Sequence, residues 1–158
     1  MHTVYRNASG LPDPGQITTA RDLAILGRAI QSRFPQYYPY FAMKGFSYDG
    51  DYIGNHNKLL GRIEGVDGIK TGFTRTSGFN LLTSAKLDGR HIVAVVMGGR
   101  TGAQRDNQMA RLVETYLPRA TTGGSLPVVA EADRDNAPLT TGSVSHKDPV
   151  STKAVAQT

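Results

Sequence analysis

The feature that most constrains the fold is a pair of apolar runs separated by two turn residues. Residues 79–87 and residues 90–97 are rich in the β-branched and large apolar side chains that favour strands. Asp88-Gly89 between them is typical of a type I′ turn, so the sequence predicts an antiparallel hairpin. Both runs are apolar on nearly every residue toward their middles, and we therefore expect helices to cover both faces of the sheet.

Two helical patterns supply these covers. The first predicts a helix over residues 20–33, stopped by Pro35, with Thr19 and Asp22 at the spacing of a capping box. The second predicts a helix over residues 102–116, ended by Pro118. Their apolar stripes, at spacings of three and four residues, are Leu23, Leu26, Ile30 and Phe34 in the first and Met109, Leu112, Val113 and Tyr116 in the second.

A third strand is expected over residues 66–74, directly after a turn at Gly65. Between it and the first helix, residues 35–46 are dense in aromatic side chains and predict a helical turn followed by an extended piece. The predicted fold class is α/β (α+β), an antiparallel sheet with helices on both faces.

Composition divides the 158 residues into two parts. Residues 1–118 hold the apolar patterns and are expected to form one domain. Residues 119–158 are rich in Pro, Ser, Thr and Ala and contain no aromatic residue, which predicts a disordered tail or linker.

Charge and residue types exclude several functions. The tail is neutral, with four basic and four acidic residues, so the net charge of +5 belongs to residues 1–118 and suits an anionic ligand. Basic runs interleaved with aromatics are absent, and nucleic acid is not an expected partner. The absence of cysteine removes thiolate chemistry. We expect no cofactor or metal, no signal peptide and no transmembrane segment.

The triplet Lys70-Thr71-Gly72 lies within the third predicted strand. An ammonium group, a hydroxyl and bare backbone in succession could form an edge to which an extended peptide adds as a further strand. The same triplet is one of the motifs of serine β-lactamases and penicillin-binding proteins. Alone it is a weak signal, so the interpretation depends on its surroundings.

These surroundings resemble the low-molecular-mass penicillin-binding proteins that are D-alanyl-D-alanine carboxypeptidases. The resemblance extends over residues 3–117 and implies a β-lactamase/transpeptidase-like fold. Its blocks, in the order of that family, are residues 7–11, 19–24, 55–57, 65–74, 77–81 and 98–101.

The resemblance also implies site residues. Lys70 would place a positive charge beside the nucleophile, and Thr71 would bond the substrate carboxylate. Gly72 would let the peptide backbone approach, while the backbone near Phe73 would help to form the oxyanion hole. Arg105 matches a carboxylate-binding arginine, although its residue type alone would suggest a solvated charge at a helix start.

His56 is expected to bond within its loop, because the family resembled uses Ser and Lys chemistry without a histidine.

The sequence departs from the family in its nucleophile. None of the serines begins a Ser-x-x-Lys or a Ser-x-Asn motif. The expectation is therefore the C-terminal part of a catalytic domain, incomplete because N-terminal strands and a helical region are missing. Such a fragment should be inactive by itself, because a covalent acyl-enzyme needs an activated nucleophile. Its last strand, residues 90–97, should expose an apolar edge that favours association, for which a complementary N-terminal fragment is a candidate partner.

Three functions stay open at this stage. The first is a serine-type D-Ala-D-Ala carboxypeptidase of the cell wall, whose partners would be peptidoglycan stem peptides and β-lactams and whose full-length parent would be periplasmic or in the cell envelope. The second is a non-catalytic remnant or peptide-binding module. The third is a β-lactamase, which the blocks outside the triplet match less well.

Overall fold

The computed structural model describes residues 2–123, which form two helices, two short 3₁₀ helices and five strands. The predicted tail beyond residue 123 lies outside the described residues. The elements are α1 (Ala20–Arg33), a 3₁₀ helix (Tyr38–Ala42), β1 (Gly45–Tyr48), β2 (Asp51–Gly54), β3 (Val66–Thr74), β4 (Gly78–Leu87), β5 (Arg90–Gly99), α2 (Gly102–Tyr116) and a second 3₁₀ helix (Leu117–Arg119).

The main sheet is antiparallel with the order β3-β4-β5. Asp88 and Gly89 have φ values of 49° and 73°, as the predicted type I′ turn requires, and the hairpin is confirmed. A similar turn at Asp49 and Gly50, with φ values of 50° and 84°, closes a separate β1–β2 hairpin. The two strands of this hairpin were not predicted, because short exposed strands carry no burial pattern.

Helices cover both faces of the main sheet, as predicted. Successive residues of a strand point to opposite faces, and Leu81 and Leu82 accordingly contact different helices. On the α2 face, Leu81 belongs to the buried core together with Leu59, Ala85, Val96, Met109, Ala110, Val113 and Leu117.

On the α1 face, Gly27, which is not part of the predicted apolar stripe, lies close against the sheet. A Cβ atom at Gly27 would lie 3.1–3.3 Å from side-chain atoms of Ile69, Leu82 and Val93, one from each strand of the sheet. The missing side chain therefore lets α1 lie directly on the sheet. Phe34, at the end of the predicted stripe, is exposed.

The predicted capping box at α1 forms only in part. Thr19 caps the helix by accepting a 3.1 Å hydrogen bond from the backbone N–H of Asp22. The Asp22 carboxylate does not return the bond, because it accepts from the His2 N–H and the Thr3 hydroxyl, both at 2.7 Å. These hydrogen bonds lower the pKa of Asp22, and the bond from the Thr3 hydroxyl contributes most. The carboxylate thus ties the N-terminal segment to the helix.

The described fold continues a few residues beyond the domain boundary expected at residue 118. The second 3₁₀ helix extends to Arg119, and Thr122 forms an antiparallel bridge with Arg90 of β5. Across residues 2–123, neither helix has the length and apolarity that would span a bilayer.

Candidate active site

A bulge at the start of β3 sets the position of the triplet. The pairing of β3 with β4 shifts between Val66 and Gly68, which leaves Asp67 outside the ladder. From Gly68 to Thr74 the register is continuous. The Ser84 hydroxyl donates to Asp67 Oδ1, and the Tyr38 hydroxyl lies 2.7 Å from Ser84 Oγ. The bulge is therefore held by side chains of β4 and of the first 3₁₀ helix.

This polar cluster reaches α1 and β5. Gln31 Nε2 lies 2.8 Å from both the Tyr38 and the Ser84 hydroxyls and 2.9 Å from His91 Nε2. Burial raises the pKa of Tyr38 to about 12, so its hydroxyl stays protonated well into the alkaline range. Burial also lowers the pKa of His91, with Lys86 and Arg28 acting in the same direction and Asp67 against it.

A second contact holds β3 just after the bulge. Asn57 is buried; its Nδ2 donates to the Gly68 carbonyl at 3.3 Å, and its Oδ1 accepts from Leu59 N–H at 3.2 Å. A Cβ atom at Gly68 would lie 3.1 Å from the Tyr38 hydroxyl oxygen and from Phe41 Cβ, so only glycine fits there without displacement. The backbone that enters the triplet is thus fixed on both sides.

The triplet opens into a cleft of about 320 Å³. The structure brings all five of the residues implied by the resemblance to this one place, although they come from β3 and α2. The cleft is lined by His56, Lys70, Thr71, Gly72, Phe73, Phe79, Gly102 and Arg105.

The three residues of the triplet differ in exposure. The Lys70 side chain is exposed, and its Nζ donates to the Thr71 carbonyl at 2.6 Å. Thr71 is only 8% exposed. Gly72 lies in a regular part of the ladder, and a Cβ atom built on it would have no neighbour within 4 Å. Because β3 is an edge strand of its sheet, a ligand can approach this open backbone.

Arg105 is buried, with 6% exposure, in contrast to the solvated charge that its residue type alone suggested. Its Nε and Nη2 donate to Asp106 Oδ1 at 2.9 and 2.8 Å, and its Nη1 donates to the Asn80 carbonyl at 3.3 Å. A guanidinium has five N–H groups, so two remain for a ligand in the cleft. Asp106 therefore fixes the orientation of the Arg105 guanidinium and partly balances its positive charge.

The first turn of α2 is also fixed locally. The Thr101 hydroxyl accepts from the Gln104 N–H at 3.0 Å, and Gln104 Oε1 accepts from the Arg100 N–H at 3.1 Å. Thr-x-x-Gln is a capping-box spacing, and this signal could have predicted the start of α2 from the sequence.

Sequence reasoning missed three residues of this site. His56 lines the cleft, while the loop-bonding role expected of it belongs to Asn55, which bonds Met43, and to Asn57. Phe79 could have been found from the register, since it pairs with Phe73 across the two strands. The role of Asp106 could not have been found from the sequence, because adjacent residues of a helix do not ordinarily face each other.

The arrangement suits recognition of an anion attached to a peptide. Lys70 and Arg105 supply positive charge, Thr71 supplies a hydroxyl and Gly72 supplies accessible backbone. Among the described residues, no group of three or more His, Asp or Glu side chains could hold a metal ion.

Comparison with known proteins gives a consistent result. Residues 1–101 match the family of D-alanyl-D-alanine carboxypeptidases. The D-alanyl-D-alanine carboxypeptidase DacD of Salmonella typhimurium is 38% identical over 113 residues. That match covers 71% of this chain and 29% of the Salmonella protein, so the chain spans less than a third of this relative.

Solved structures with the same fold include penicillin-binding protein 5 from Haemophilus influenzae, with a TM-score of 0.69 and 35% identity. The match covers 73% of this chain and 34% of that protein. Penicillin-binding protein D2 from Listeria monocytogenes, solved in an ampicillin-bound form, has a TM-score of 0.66 and 30% identity, and the match covers 71% and 47% of the two chains.

Proposed function

Because the chain belongs to the D-alanyl-D-alanine carboxypeptidase family, we propose that its cleft forms the carboxylate-binding side of an active site for peptides that end in D-Ala-D-Ala. The family assignment confirms the resemblance inferred from the sequence blocks. The substrate, the partners and the roles of the site residues are part of the proposal, and so is a cell-envelope location of the parent protein. The assignment of residues 119–158 as a disordered tail or linker stays a prediction from the sequence.

The observation that carries the proposal is the convergence of Thr71 and Arg105 in one cleft. The terminal carboxylate of the peptide would accept hydrogen bonds from the Thr71 hydroxyl and from the two remaining N–H groups of Arg105. The peptide backbone would then run along β3 past Gly72, where space is open.

Lys70 would act on the reacting end of the peptide. Its ammonium lies next to the open backbone of β3, where it can stabilise the negative charge that develops during acylation. The backbone near Phe73 would contribute to the oxyanion hole. Acylation itself needs a serine activated by a neighbouring base, and the sequence contains no Ser-x-x-Lys or Ser-x-Asn. We therefore propose that this chain supplies the carboxylate-binding side of a serine carboxypeptidase site, and that by itself it binds the peptide without hydrolysing it.

β-Lactams are proposed as ligands of the same cleft. Penicillin-binding protein D2 from Listeria monocytogenes, a structural relative of this chain, was solved with ampicillin bound. A β-lactam with a free carboxylate offers Thr71 and Arg105 the same acceptor as the peptide.

A peptide-binding module without chemistry is the second candidate. The free edge of β3 beside the triplet favours it, because an extended peptide can pair with an edge strand without any nucleophile. A β-lactamase is the third and has no observation of its own in its favour.

The proposal is tested by calorimetric titration of the chain with N-acetyl-D-Ala-D-Ala. Arg105→Lys keeps a positive charge beside Asp106 but loses the planar guanidinium with its paired N–H donors. We expect about tenfold weaker peptide binding, because a hydrogen bond to a charged group contributes about 1.5–3 kcal/mol. Arg100→Lys, at an exposed position near the start of the same helix, is the matched control and should bind as the wild type does. Equal affinity of both variants would refute the role of Arg105.

Chemistry is tested separately by intact-mass measurement after incubation with ampicillin. We expect no covalent adduct on the isolated chain. A stable adduct would show that a nucleophile is present, and it would overturn the assignment of a purely binding role.

A further inference from the structure

A bulge near the end of β5 lies one strand away from the triplet. Two residues of β5, Met97 and Gly98, face the single residue Asn80 of β4. Gly98 has a φ of 75°, a conformation that glycine adopts without strain. In the other direction, Asn80 is paired with Gly72 of β3. Asn80 is therefore the residue that lies between the triplet strand and this irregularity, which we call the β5 bulge.

The side chain of Asn80 holds the β5 bulge in place. Its Oδ1 accepts from the Gly98 N–H at 3.0 Å, so this backbone donor is satisfied where the ladder is interrupted. Its Nδ2 donates to Ser77 Oγ at 2.8 Å and to the Gly78 carbonyl at 3.0 Å, at the turn between β3 and β4. These three hydrogen bonds of one half-buried amide connect that turn to the end of β5.

The β5 bulge in turn sets the position of Arg105. Gly99, the next residue, lies so close to α2 that a Cβ atom on it would be 3.1 Å from Arg105 Cβ. The helix begins only three residues later, at Gly102. The Asn80 carbonyl accepts from Arg105 Nη1 at 3.3 Å, which adds a direct contact to this short path along the backbone. A displacement of the bulge would therefore move Arg105 relative to Thr71.

We propose that Asn80 is a positioning residue, whose side chain holds Arg105 where it can share a carboxylate with Thr71. The inference rests on the proposed function, because that function assigns the carboxylate to these two residues. Asn80 itself does not line the cleft. It acts on the ligand through the β5 bulge and through Arg105.

The test is a calorimetric titration with N-acetyl-D-Ala-D-Ala and with its C-terminal carboxamide, at a temperature where all variants are folded. The wild type should prefer the acid by about tenfold, the size of one hydrogen bond to a charged group. In Asn80→Ala we expect this preference to fall to about threefold, because Arg105 is displaced while the groups that bind the rest of the peptide stay. Asn107→Ala removes an exposed asparagine from the same helix as Arg105 and is the matched control, which should keep the tenfold preference.

A second pair of variants changes the β5 bulge without changing Asn80. Gly98→Val places a β-branched residue at a positive φ and should displace the bulge, whereas asparagine tolerates this conformation. Space is not the difference, since a Cβ atom at Gly98 would meet nothing within 4 Å. We expect Gly98→Val to lower the preference as Asn80→Ala does, and Gly98→Asn to recover most of it.

The Nε resonance of Arg105 in the ligand-free chain separates this inference from the proposed function. It should shift in Asn80→Ala and stay unchanged in Asn107→Ala. If Asn80→Ala keeps the tenfold preference, Asn80 is structural only and the proposed function stands. If the wild type itself does not distinguish acid from carboxamide, the proposed function fails, and an unshifted Arg105 resonance in Asn80→Ala would overturn the positioning role as well.

Discussion

At the scale of single residues, burial sets the protonation of the side chains behind the triplet strand. His91 faces Gln31 of α1, Asp67 of β3, and the cations Lys86 and Arg28. Burial is the largest cause of its lowered pKa. The neutral imidazole is thus the form that the polar cluster accommodates.

His91 gives a prediction for the pH dependence of stability. Its pKa is lower in the folded chain than the 6.5 of a free side chain, so the unfolded state binds the proton first as the pH falls. The stability contributed by neutral His91 is complete above pH 6.5 and declines as the pH drops toward the folded pKa. His91→Gln cannot take up the proton, and its free energy of unfolding should change less between pH 7.5 and pH 5.5 in urea titrations. An equal change in both proteins would contradict the assignment.

At the scale of elements, the bulge of β3 decides which way the triplet faces. A one-residue change of register in a strand moves every side chain to the other face. Asp67 accepts from Ser84 and lies 3.3 Å from the Tyr38 hydroxyl, and these bonds hold the bulge where it is. Asp67 is therefore a positioning residue for Lys70 and Thr71.

Substitution of Asp67 tests this role. Asp67→Ala leaves the Ser84 hydroxyl without its acceptor and should cost about 1–3 kcal/mol of stability, whereas Asp67→Asn keeps an acceptor oxygen and should cost less. At temperatures where all variants are folded, we expect Asp67→Ala to bind N-acetyl-D-Ala-D-Ala several-fold more weakly and to shift the amide resonances of Lys70 to Gly72. Asp67→Asn should recover most of both.

The control for this experiment is Asp51→Ala on the exposed hairpin, which should change neither the amide resonances nor peptide affinity. Wild-type affinity in Asp67→Ala, despite its lower stability, would mean that Asp67 is structural only.

The elements also show what the sequence could predict. The β4–β5 hairpin followed from its Asp-Gly turn and apolar runs, and both long helices followed from periodicity. The bulge did not, because its contacts join Asp67 to residues 17 and 29 positions away. The close packing at Gly27 was missed for a similar reason, since a glycine leaves no mark in an apolar pattern. Two residues of the site needed the structure to be recognised: Phe79 depends on the strand register, and His56 depends on the position of its loop.

At the scale of the whole molecule, the described residues form a small sheet with helices on both faces and two edge strands, β3 and β5. The β3 edge carries the candidate site. The β5 edge is bridged by Thr122 at Arg90, and its association with a further strand remains a prediction from the sequence. The site therefore lies at a border of the described fold, where a ligand or another segment can pair with the backbone.

The central claim is that this border recognises a free peptide carboxylate. The most direct test is a nuclear magnetic resonance titration of the ¹⁵N-labelled chain with N-acetyl-D-Ala-D-Ala and, separately, with its C-terminal carboxamide. The acid should shift the amides of Thr71 and Gly72 and the Nε resonance of Arg105, and the carboxamide should bind at least tenfold more weakly. Equal binding of acid and carboxamide, or shifts confined to residues outside the cleft, would contradict the claim.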